Sequence, residues 1–136
     1  MIPLALDTSV AVPLMLLSHP MHHAVVARVG GRPIALSGHA EVETLSVLTR
    51  LPNDARVDAA AAKQVLTDGM RHAFSPDLDH PVTPALRIAD LGITGGAVYD
   101  ALVALAALDS GATLLTRDAR ALPTYARVGV AIELVA

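Results

Sequence analysis

Four short apolar runs punctuate the chain without any polar alternation: "IPLALD" at 2–7, "PIALS" at 33–37, "ATLLT" at 112–116 and "VAIELV" at 130–135. A strand with one wet face shows a two-residue period, so unbroken apolar strands are buried on both faces. Longer helical stretches separate these runs. Strands alternating with helices build a parallel sheet with helices on both sides, an α/β fold. The interior must be filled by Ala, Val and Leu, because 53% of residues are hydrophobic but only Phe74, Tyr99 and Tyr125 are aromatic.

Turn and cap residues set the expected boundaries. "TSVAVPLMLLS" reads as a first helix capped by Thr8 or Ser9, with a kink or early break at Pro13. A second helix begins near Pro20 and stops at Gly30-Gly31; a third covers 38–52 and a fourth 54–70. A polar, Pro-rich connection follows at 75–84, then a short helix from Pro84, a long helix over 95–111, and a short helical or turning stretch from Asp118 to Gly129. The length of 136 residues suits one domain spanning 1–136.

Composition removes several functional classes. No Cys is present, which excludes disulfides, thiolate metal sites and Cys nucleophiles. No apolar run is long enough to span a bilayer, and the first residues lack the pattern of a secretory signal, so a cytoplasmic protein without membrane contact is expected. The net charge of −3 does not announce a nucleic-acid binder. Ser9 lacks a nucleophile-elbow context, and the Gly pairs at 30–31 and 95–96 fit no phosphate loop.

What remains is carboxylates in apolar company. Sites in parallel sheets form beyond the carboxyl ends of the strands, which places Asp7 and Asp118 on one rim. Asp100 is the only charge in the apolar helix around 97–108, where an isolated carboxylate is expensive to bury; several acids sharing a cation is the better account. The third helix adds Glu41 and Glu43. A helical wheel puts Glu41 within the apolar stripe of Val42, Leu45, Leu48 and Leu51, with Glu43 on the flank, and periodicity does not decide which acts. His22 and His23 should diverge on their helix, His39 reads as a cap or a partner of a ligand, and Asp109 as solvent-facing. Carboxylates without Cys or a His cluster make a hard-cation site, suited to Mg²⁺ or Mn²⁺ and hence to phosphate chemistry.

Four stretches in order now carry a resemblance: "LALDTSVAV" at 4–12, "GHAEVETLSVLTRLP" at 38–52, "ITGGAVYDALVALAAL" at 93–108 and "LLTRDARA" at 114–121. Across essentially its whole length the chain resembles PIN-domain ribonucleases, closely the VapC toxins of bacterial toxin–antitoxin pairs. The resemblance implies a three-layer α/β/α sandwich around a short parallel sheet of about four to five strands. It matches Asp7, Glu43, Asp100 and Asp118 to the family's metal-binding acids; Leu48 and Arg50 follow Glu43 at the family's spacing, which selects Glu43 over the wheel's Glu41. Ser9 and Thr116 match hydroxyls that hold the carboxylates, and Arg117 and Arg120 flank the site as phosphate contacts or surface ion-pair partners.

The implied activity is metal-dependent endoribonuclease cleavage of structured RNA such as tRNA or rRNA loops, with Mg²⁺ as the cation and Mn²⁺ able to take its place. The implied partners are a second copy of the chain and a VapB-like antitoxin that inserts across the acids. Met15, Leu16 and Met21 either line that groove or belong to the core. Other readings are weaker. A haloacid-dehalogenase phosphatase needs a second Asp where Ser9 stands, and a phospho-receiver needs a Lys near its last strand, whereas Lys63 lies mid-chain. A catalytically silent PIN-fold binding module is the remaining alternative.

Overall fold

The computed structural model describes residues 2–70 and 72–135. β1 (Leu4–Leu6) leads directly into α1 (Thr8–Met15), followed by α2 (His22–Val29), β2 (Ile34–Ser37), α3 (Ala40–Thr49) and α4 (Ala59–Gly69). The second half contains β3 (Ala73–Phe74), α5 (Pro84–Asp90), α6 (Ala97–Asp109), β4 (Leu114–Thr116), α7 (Leu122–Val128) and β5 (Ile132–Leu134). All strand pairs are parallel, in the order β3-β2-β1-β4-β5. The sheet is the middle layer of an α/β/α sandwich: α1 packs on α2 and α3, α3 on α4, and α6 against α5 and α7.

The four apolar runs are strands, and Ala5, Leu6, Leu114 and Leu115 are fully buried. β5, at the sheet edge, is not buried on both faces, since it is only partly covered and Leu134 is exposed. β3 was not among them. Only two residues long, at the sheet edge and preceded by His72, it lacks an apolar run to betray it. The chain leaves β1 towards β2 and β3 on one side and β4 and β5 on the other, so the sheet's switch point lies between β1 and β4. A crevice forms there, beyond the strands' carboxyl ends.

Two boundaries differ for physical reasons. α4 starts at Ala59 rather than 54, because the Asp58 carboxylate accepts the Ala61 N–H at 2.8 Å and caps the helix. α1 runs through Pro13 and stops at Met15, and neither Thr8 nor Ser9 caps it: Asp7 occupies the N-cap position with its backbone, without a side-chain cap bond. Pro13 has no N–H for the Ser9 carbonyl, so that carbonyl accepts Arg117 Nη1 at 3.2 Å instead. A proline that would weaken an isolated helix here ties α1 to the end of β4.

Asp109 is not solvent-facing. It forms a two-pronged ion pair with Arg87 (2.7 and 2.9 Å) and accepts the Asp77 N–H at 2.8 Å, binding α5 and the polar connection to the end of α6. Arg87 thereby supplies the positive charge that a carboxylate at a helix C-terminus needs. On the other side of α6, Ser37 Oγ donates to the Val103 carbonyl at 2.7 Å. The next residue, Gly38, has φ +56°, and a Cβ there would stand 2.8 Å from the Leu102 carbonyl oxygen. Only glycine lets the β2–α3 turn approach α6 this closely. That approach brings α3 beside the first turn of α6.

Candidate active site

The crevice at the switch point is a pocket of about 300 Å³ whose walls include Asp7, Glu43, Asp100 and Asp118. Asp7 reaches it from the end of β1, Glu43 from α3, Asp100 from the first turn of α6 and Asp118 from just past β4. The remaining polar wall consists of Thr8, Ser9, His19, Arg117, Arg120 and Tyr125.

Asp7 is 4% exposed and held from three directions. Ser9 Oγ donates to its Oδ1 at 2.5 Å; Thr116 Oγ1 donates to Oδ2 at 2.5 Å, and the Tyr125 hydroxyl to the same oxygen at 2.8 Å. Both small hydroxyls are positioned in turn, since Ser9 Oγ accepts the Arg117 N–H and Thr116 Oγ1 accepts the Asp118 N–H. The start of α1 and the end of β4 are thus stitched together through one carboxylate. A carboxylate oxygen accepts about two hydrogen bonds, so Oδ2 is saturated while Oδ1 retains a lone pair.

Charge repulsion records the convergence of the acids. Burial pushes the Asp7 carboxyl up, the three hydroxyl donors pull it back, and Asp118 adds repulsion. The Asp100 carboxyl is also pushed up, first by burial, with Arg120 opposing and with Asp118, Glu43 and Asp7 adding repulsion. The pocket therefore favours either protons or cations. The donor set is all oxygen, which suits Mg²⁺ or Mn²⁺ in preference to softer metals, and Asp7 Oδ1 has room for a ligand. Among the described residues, however, no three His, Asp or Glu side chains stand close enough to hold a metal ion as they are.

The wheel for α3 pointed the wrong way. Val42 is 64% exposed and Leu45 is also on the surface, whereas Ala40, Thr44 and Leu48 face inward and Glu43 lies at the pocket. Glu41 sits outside it, and the third glutamate, Glu133, is taken up by Arg28 and Arg32. Glu43 is half-exposed, with His39 Nε2 3.6 Å from its carboxylate and the His39 ring against Tyr99. His22 and His23 do not line the pocket; rather than diverging, their rings meet edge-on at 5.2 Å, and His22 Nδ1 bonds the Pro13 carbonyl at 2.9 Å.

Two pocket residues were not foreseen. Tyr125 is 2% exposed, and burial, with the acids around it, pushes its phenol far above the ordinary range, so it stays a donor. A signal existed: in an interior nearly free of aromatics, a buried tyrosine must find a partner for its hydroxyl. His19 lies in the α1–α2 turn, where no sequence periodicity marks it. Its Nδ1 accepts the Met21 N–H at 3.0 Å, so the neutral ring carries its proton on Nε2. Burial first, then Arg117 and His22, hold its pKa below the ordinary value. Met15 and Met21 pack against the core as partly buried side chains.

A parallel 3-2-1-4-5 sheet with four acids lining a pocket at its switch point defines an α/β protein with an acidic, oxygen-lined crevice. The sequence profile of the PIN domain matches residues 4–128, and the chain belongs to that family, within it to the VapC ribonuclease group. It is 52% identical over 136 residues to Ribonuclease VapC27 of Mycobacterium tuberculosis (strain ATCC 25618 / H37Rv), covering 98% of both chains. It is 44% identical over 134 residues to Ribonuclease VapC40 of Mycobacterium tuberculosis (strain CDC 1551 / Oshkosh), covering 97% of this chain and 98% of that one. In fold it is similar to the crystal structure of FitAcB from Neisseria gonorrhoeae, with a TM-score of 0.63, 20% identity and 95% of each chain covered.

Proposed function

We propose that this chain is a divalent-cation-dependent endoribonuclease, the toxin of a toxin–antitoxin pair, with Asp7, Glu43, Asp100 and Asp118 holding Mg²⁺ or, in its place, Mn²⁺. The observation that carries the reading is the convergence of these four carboxylates, from four separate elements, on one oxygen-lined pocket. The ribonuclease names of its relatives point the same way. When bound, such a cation makes a water acidic enough to attack a phosphodiester near neutral pH and offsets the charge developing on the phosphate.

The chain's own residues supply position and charge. Ser9, Thr116 and Tyr125 favour the charged form of Asp7 against its burial and hold it in one orientation, with one lone pair of Oδ1 left open. Arg117 has its Nη1 tied to the Ser9 carbonyl; its remaining guanidinium donors supply positive charge for an RNA phosphate, and the neutral His19 ring adds an Nε2–H donor beside them. The acids lie in a recess between elements, which an unstacked nucleotide enters more readily than a paired one; this favours exposed loops of structured RNA such as tRNA or rRNA. The exposed apolar side chains Val42 and Leu45 on α3 and Tyr99 on α6 support docking of a second copy or of a VapB-like antitoxin. No described helix is long and apolar enough to cross a membrane, and we place the activity in the cytoplasm.

Purified protein should cleave total cellular RNA with Mg²⁺ or Mn²⁺, stop in chelator and resume when the cation is restored. Asp7→Asn should abolish cleavage with the fold intact. The new amide nitrogen can donate to Ser9 Oγ while its oxygen keeps both the Thr116 and Tyr125 bonds. Cleavage that survives chelation and Asp7→Asn refutes the mechanism. Folded, cation-loaded protein that leaves every RNA intact supports a silent binding module instead.

A further inference from the structure

Arg120 occupies the space between two of the proposed cation ligands. Its Nη2 lies 3.0 Å from Asp118 Oδ2 and 3.9 Å from Asp100 Oδ2, while its backbone N–H donates to Asp118 Oδ1 at 3.1 Å. Both oxygens of Asp118 are therefore engaged by one residue two positions along. Arg120 is the only basic side chain ion-paired to any of the four acids apart from His39 at Glu43, among the described residues. It is also the most solvent-exposed member of the pocket wall's ion pairs, at 77% for its side chain. A guanidinium on an exposed stem can leave at little cost, unlike one packed in place.

We propose that Arg120 is a built-in counter-ion that competes with the divalent cation for Asp118 and Asp100 and is displaced when the cation binds. The inference rests on the cation-site reading above. Without a cation the guanidinium stands between two carboxylates that α6 and the end of β4 bring together. An arginine holds its charge at every working pH, so it is competition by another cation, not deprotonation, that displaces it from the acids. It also accounts for the acids standing apart without a preformed cluster. Once released, the guanidinium stays at the pocket rim, where its planar fork matches an RNA phosphate. Cation loading and substrate contact are thereby coupled through one side chain, and Arg120 differs from Arg117, whose guanidinium is anchored on the Ser9 carbonyl.

The test measures Mg²⁺ binding to the RNA-free full chain by isothermal titration calorimetry, comparing wild type with Arg120→Gln, Arg120→Lys and Lys63→Gln. Lys63 lies on α4 outside the pocket, so its variant removes the same charge from elsewhere. Arg120→Gln should bind Mg²⁺ about three- to fivefold more tightly, the most that an exposed ion pair allows. Arg120→Lys and Lys63→Gln should stay within about twofold of wild type. In chelator, Arg120→Gln should melt below wild type, and saturating Mg²⁺ should close that gap. Equal or weaker binding by Arg120→Gln, or equal tightening by Lys63→Gln, overturns the proposal while leaving the cation site standing. If neither wild type nor Arg120→Gln binds Mg²⁺, the cation-site reading falls and this inference with it.

Discussion

Removing one oxygen atom, in Tyr125→Phe, tests whether the pocket is organised around a charged Asp7. The ring remains in a fully buried position, so no cavity opens, and what disappears is the 2.8 Å bond from the hydroxyl to Asp7 Oδ2. A hydrogen bond to a charged group contributes about 1.5–3 kcal/mol, against about 0.5–1.5 kcal/mol for a neutral pair. For a chain of 136 residues the unfolding entropy is about 0.3 kcal/mol/K, so the loss corresponds to a Tm lower by about 5–10 °C near neutral pH. The pH dependence distinguishes this cause from loss of packing. The Asp7 carboxyl titrates above its ordinary value of 3.8 in the folded chain, because burial outweighs its donors. The charged form is therefore the costly one, and wild-type stability attributable to Asp7 falls as pH rises through the window from 3.8 to that raised value. Tyr125 moderates this loss, and without it the Asp7 carboxyl titrates still higher. The variant's deficit is therefore full above its own raised value and shrinks as acidification protonates Asp7 in it and then in wild type. Urea unfolding at pH 7.5 and at successively lower pH measures both. A deficit below about 0.5 kcal/mol at pH 7.5, or one of equal size in acid, refutes the reasoning.

Two further outcomes follow from the geometry. Glu43→Gln should lower cleavage by about a hundredfold or more and weaken Mg²⁺ binding, while Glu41→Gln, outside the pocket, should change either by no more than about twofold; steady-state cleavage and calorimetry read both. Arg87→Met should cost about 2–3 kcal/mol in urea unfolding at neutral pH, because it strands the nearly buried Asp109 carboxylate. Arg87 holds that carboxyl below the usual range, so the pair's contribution is present above the ordinary pKa and is lost as pH falls through the depressed value. The gap between variant and wild type should accordingly close in acid.

Much of this was legible from residue order. Asp7 and Asp118 were placed on one rim by the rule for parallel strands, and Asp100 stood out as the only charge in an apolar helix. Glu43 came from resemblance rather than from the wheel, which marked the wrong face of α3. An exposed Val42 and Leu45 against a buried Thr44 defeat any argument that equates apolar with inward. Asp109 misled in the same manner, because its partner, Arg87, lies 22 residues away.

The sequence by itself determined the alternation of buried strands and helices, hence a parallel sheet, and the identity of the acids at its rim. Those are local properties: apolar runs, caps and glycines act within a few residues, and strand direction follows from the crossovers between them. Only the tertiary structure decided which side of α3 meets the pocket, that Tyr125 and His19 belong to it, that Pro13 frees a carbonyl for Arg117, and that Arg120 bridges Asp118 and Asp100. Each is a contact of a few ångströms between groups distant in sequence or turned by a loop. Such contacts depend on how closely the layers approach, and here Gly38 against Leu102 sets that approach between α3 and α6.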